Sequence, residues 1–64
     1  MIKGDRVEIK NSNDSHVNGT WELYNITENQ YHMCRIGKKG KRLKPRPENM
    51  FNPTPEQLKR FVLQ

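Results

Sequence analysis

Gly37-Lys38-Lys39-Gly40 is the stretch that most narrows what this chain can become. Two glycines three apart around a polar pair mark a tight reversal. Ile36 stands just before it and Leu43 lies in the Lys41-Arg42-Leu43-Lys44 run after it. The pattern predicts a β-hairpin with Ile36 and Leu43 in the core and the cations pointing out. Between Arg35 and Arg46 there are seven basic residues and no acidic one. The hairpin is therefore also the main concentration of positive charge.

The rest of the chain divides into short runs of the same kind. Arg6-Val7-Glu8-Ile9-Lys10 follows a Gly-Asp turn and alternates, Val7 and Ile9 to one face and the charged residues to the other. That period of two predicts a half-buried strand. Asn11 to Gly19 is almost wholly turn-forming, with the lone His16 read as a solvated loop residue. A second strand is expected over Thr20–Thr27, with Trp21 and Leu23 on one face. Ile26 breaks the alternation and predicts a bulge or bend near Asn25. Glu28-Asn29-Gln30 forms the turn into a third strand, Tyr31–Ile36, which carries Tyr31 and Met33 on one face and His32, Cys34 and Ile36 on the other. Lys41–Lys44 is the expected fourth strand. Pro45 and Pro47 cannot donate to a ladder, so it ends there or runs along an edge. Glu48–Phe51 reads as a short helical turn or bridge with Met50 and Phe51 against the core. Thr54, Pro55 and Gln57 spell a capping box with proline at the first helical position. Leu58, Phe61 and Val62 then form an apolar stripe. A C-terminal helix over residues 54–64 is expected to pack on the sheet.

Composition agrees with a β-rich domain. Alanine, the strongest helix former, is absent, and 64 residues suffice for one domain. The single cysteine, Cys34, excludes an internal disulfide framework. The first residues contain no apolar signal region and no run approaches a membrane span, so a cytoplasmic location and no membrane partner are expected. Sequons at Asn13, Asn18 and Asn25 then read as Asn-rich turns.

Gly-Asp-Arg-Val-Glu-Ile, Gly-Thr-Trp-Glu-Leu and Arg-Leu-Lys-Pro-Arg-Pro-Glu-Asn-Met-Phe, in this order over residues 4–51, resemble the SH3-like small β-barrels, among them KOW, Tudor and retroviral integrase C-terminal domains. The resemblance implies about five short, bent antiparallel strands closing a barrel, with ligands on the sheet face or between loops. The plan of a basic barrel with a C-terminal helix is also similar to the small archaeal chromatin proteins, which lack this Gly-Asp-x-Val opening. Gly-Asp-Arg-Val and a tryptophan after the loop resemble plasmid-borne dihydrofolate reductases, whose Val-Gln-Ile-Tyr site is replaced here by Lys41-Arg42-Leu43-Lys44.

Chemistry for catalysis is not evident. Gly37–Lys41 lacks the glycine spacing and the following Ser or Thr of a phosphate loop. His32 and Cys34 supply half of a zinc set, with only distant His16 to join them. No metal or cofactor is expected, and the chain reads as non-enzymatic. Charge is the stronger signal. Residues 1–34 hold three basic and five acidic side chains, residues 35–64 nine and two. Such asymmetry points to a polyanionic partner. The expected site is a DNA- or RNA-binding surface of Arg35, Lys38, Lys39, Lys41, Arg42, Lys44 and Arg46. Tyr24 and Tyr31 are candidates to stack on bases. Trp21 reads as core. The alternative is a small protein-interaction regulator or inhibitor, of phage or mobile-element type, docking on an acidic protein. Lysines that only keep a strand edge from aggregating are the plainest account of the charge.

Overall fold

The computed structural model describes residues 1–63. It consists of four antiparallel strands in an open sheet, ordered β1-β2-β3-β4, and one helix. The strands are β1 (Arg6–Ile9), β2 (Gly19–Thr27), β3 (Gln30–Arg35) and β4 (Met50–Phe51). Helix α1 spans Pro55–Leu63. Of the helix expected over residues 54–64, Gln64 lies outside the described residues.

The alternation in β2 sets up the core. Trp21 and Leu23 are buried, and across the ladder Leu23 faces Met33. Ile9, Val17 and Leu58 complete the buried apolar cluster, with Val7, Tyr31, Phe51 and Phe61 packed at its margin. Burying such side chains stabilises by about 1.5–3 kcal/mol each. Trp21 also satisfies its one polar group, donating from Nε1 to the Val17 carbonyl at 2.9 Å. Its ring meets Phe51 edge-on at 4.5 Å, and Phe51 meets Phe61 of α1 at 6.1 Å. The polar loop after β1 is thereby drawn into the core: a short 3₁₀ turn, Ser15–Val17, buries Val17 beneath it.

The expected bulge lies between Leu23 and Asn25, where the β2–β3 register shifts. The helix start is also as expected. Thr54 Oγ1 accepts from the Gln57 N–H at 3.1 Å, and Gln57 Oε1 accepts from the Thr54 N–H at 2.9 Å. Of the predicted stripe, Leu58 is buried and Phe61 half-buried, whereas Val62 is 43% exposed.

The fourth expected strand and the closed barrel require correction. Lys41–Lys44 makes only the isolated bridge Ile36↔Arg42, and the fourth strand is Met50–Phe51. The prolines explain this. The Leu43 N–H still reaches the Arg35 carbonyl at 2.9 Å, but Pro45 and Pro47 have no N–H with which to continue. The chain passes instead through a 3₁₀ turn, Pro47–Asn49, and rejoins β3 at Cys34↔Met50 and Met33↔Phe51. Leu43 is not core either; it remains 36% exposed and lies over Gly37, where an added Cβ would come within 2.9 Å of its Cδ2.

Candidate nucleic-acid interface

The tight turn predicted at Gly37–Gly40 forms, although its returning arm is not a strand. The Gly40 N–H donates to the Gly37 carbonyl at 3.0 Å and the Gly37 N–H to the Lys41 carbonyl at 2.8 Å. Gly40 sits at φ +78, a conformation side chains disfavour and glycine adopts freely. This is a tight turn closed by a left-handed glycine, which sets the two flanking segments close together. Lys38 and Lys39 are held at its tip, and Lys41, Lys44 and Arg46 follow on the returning arm; all five are exposed. Among the described residues none of these five cations forms an ion pair.

The arm is anchored from the sheet face opposite Trp21. Glu22 lies between two arginines, accepting from Arg6 Nε at 3.2 Å and pairing with Arg42 Nε at 3.5 Å. Arg6 Nη1 in turn donates to the Gly40 carbonyl at 3.1 Å. Beneath the arm, the buried Cys34 thiol donates to the Leu43 carbonyl at 3.2 Å. Exposed ion pairs contribute at most about 1 kcal/mol apiece. Their consequence here is positional: they tie Gly40 and Arg42 to the sheet. Arg42 also lays its guanidinium over the Tyr24 ring, 4.6 Å from the centroid, and Tyr24 is 41% exposed.

Two expected site residues lie elsewhere. Arg35 does not flank the hairpin surface but turns to the core face. It stacks on Trp21 at 4.3 Å, donates from Nη1 to the Asn18 carbonyl at 3.0 Å, and donates from Nη2 to the His16 carbonyl. It fastens the polar loop to the sheet. Gly19 makes room for it: its φ is +131, and an added Cβ would stand 2.6 Å from Arg35 Nη1. The strand alternation contained this signal, since Arg35 is two residues from Met33 and so shares its inward face. Tyr31 is half-buried and packs against the core cluster, on the far side of the sheet from the arm's anchor at Glu22.

The remaining reactive side chains are engaged in structure. His32 contacts Thr27 Oγ1 through Nε2 at 2.8 Å and Asn52 Oδ1 through Nδ1 at 3.0 Å, tying the β2–β3 hairpin to the approach to α1. His16 is exposed and meets Trp21 edge-on at 6.2 Å. Among the described residues no group of three His, Cys, Asp or Glu side chains is placed to hold a metal ion. A surface cleft of ≈ 400 Å³ between the β2–β3 turn and the start of α1 is lined by Thr27, Glu28, Asn29, Gln30 and Thr54, with Glu28 its one ionisable residue. No described helix is long and apolar enough to cross a membrane. Compared with known protein families, curated proteins and solved structures, the chain matches none.

Proposed function

We propose that this protein is a non-enzymatic nucleic-acid-binding module whose basic arm grips backbone phosphates with little sequence preference. The observation that carries the reading is the set of five exposed, unpaired cations, Lys38, Lys39, Lys41, Lys44 and Arg46, on one anchored segment. Cations on a stiff support gain more from a regular polyanion than the same charges on a floppy tail, because less side-chain and backbone freedom is lost on binding. Glu22, the carboxylate nearest Arg42, is shared between Arg6 and Arg42. The order of elements supports the likeness to SH3-like small barrels: strand, polar loop, two longer strands, tight turn, 3₁₀ turn and short last strand.

The test is a titration of labelled duplex DNA, single-stranded DNA and RNA with the wild type and a Lys38/Lys39/Lys41/Lys44→Ala variant. The wild type binds in the micromolar range at low salt and the variant loses at least about tenfold. Equal binding by both proteins would rule the reading out, and the acidic protein partner would then be sought.

A further inference from the structure

The arm accounts for phosphates but leaves Tyr24 unexplained. The bulge between Leu23 and Asn25 leaves Tyr24 without a cross-strand partner. A bulge re-aims the side chain it carries, and Tyr24 emerges on the same face as the basic arm, against Arg42 of that arm. A solitary exposed aromatic on a surface needs no explanation. This one differs because its ring is held by a guanidinium at 4.6 Å, which is itself oriented by Glu22 at 3.5 Å. Arg42 thus shares one carboxylate with Arg6. What it presents outward is a flat, weakly hydrated surface continuous with a phenol.

We infer that Tyr24 and Arg42 form a platform that stacks on an unpaired base, so the ligand of this face is single-stranded nucleic acid. The inference rests on the phosphate-binding reading and specifies its substrate class. Bases inside a duplex already stack on one another and offer only their edges, whereas an unpaired base exposes its whole π face. Arg42 lies between Lys41 and Lys44 in the chain, so the platform sits within the basic arm that would hold the phosphates. Tolerance for any base follows, because every base has such a face.

The experiment compares four probes of equal length: single-stranded DNA, single-stranded RNA, an abasic sugar–phosphate strand and duplex DNA. Each is titrated against wild type, Tyr24→Ala and Tyr24→Phe. Because Tyr24 is 41% exposed, the variants should fold, which emission from the buried Trp21 verifies. The wild type should bind base-bearing single strands about tenfold more tightly than the abasic strand. Tyr24→Ala should erase that difference while leaving abasic binding unchanged, and Tyr24→Phe should retain it. If Tyr24→Ala keeps the difference, if wild type binds both strands equally, or if duplex is preferred, the platform is overturned and phosphate binding stands. If no probe binds, both readings fall.

Discussion

Arg35 and Arg42 are a matched pair with opposite duties. Each lays its guanidinium over an aromatic ring, Arg35 at 4.3 Å over Trp21 and Arg42 at 4.6 Å over Tyr24. Beneath Arg35 the ring is fully buried, and two backbone carbonyls of the polar loop occupy its donors. Beneath Arg42 the ring is 41% exposed, and the partner is one carboxylate shared with Arg6. The difference teaches that residue type did not decide the role. The face of the strand did: the inward arginine is architecture, and the outward one belongs to the surface that can meet a ligand.

That contrast is most severely tested by Arg35→Ala. It strips two loop carbonyls of charged donors and uncovers Trp21, so stability should fall by about 2–3 kcal/mol. Thermal melting should drop by about 10–20 °C, and oligonucleotide affinity of the folded protein should stay within about twofold of wild type. Arg35→Lys should not restore the stability, because an ammonium lacks the planar fork that reaches both carbonyls. Unchanged melting would break the comparison at its inner half.

Gly19→Ala should cost about 2 kcal/mol through backbone strain at positive φ and displacement of Arg35. In an Arg35→Ala background its cost should shrink, since the atom it would strike is gone. Denaturant titration of the four proteins of that cycle measures the coupling. A fully additive result would mean that glycine is needed there for its backbone alone.

At the outer half the expected effects change kind. Arg42→Ala should lower stability by less than about 1 kcal/mol, as exposed pairs do, yet weaken oligonucleotide binding several-fold. Glu22→Gln is the mildest change. It removes the carboxylate shared by Arg6 and Arg42, should alter stability by no more than about 1 kcal/mol, and should tighten oligonucleotide binding about twofold by deleting a negative charge near the arm. Weaker binding by Glu22→Gln would show that holding Arg42 in place matters more than its free charge.

Local pattern made much of the fold legible. Period-two alternation located β1, β2 and β3, Ile26 disclosed the bulge, and Thr54 with Gln57 disclosed the helix start. Each of these is decided by neighbours within a few residues. Lys41–Lys44 alternates like a strand, and Pro45 and Pro47 mark where its pairing must stop, but neither signal says that a single bridge to Ile36 is all that forms. Met50–Phe51 became the strand because it regains β3 after the prolines, a pairing over a sequence distance that leaves no local mark. In the site, the exposed lysines followed directly from the charge run. Charge groups Arg35 with them, although its strand parity places it inward beside Met33. The loop carbonyls it serves are 17 and 19 residues away, and no periodicity reports such a reach.

The claim that the arm meets phosphates while Arg35 does not is tested most directly by the salt dependence of binding. Five cations engaging a single strand give a slope of log affinity against log salt near about −3.5, at about 0.7 per contact. Removing Lys38, Lys39, Lys41 or Lys44 singly should flatten the slope by about 0.7 each, and Arg35→Ala should leave it unchanged. A slope insensitive to the arm lysines, or one that flattens on loss of Arg35, would contradict the account.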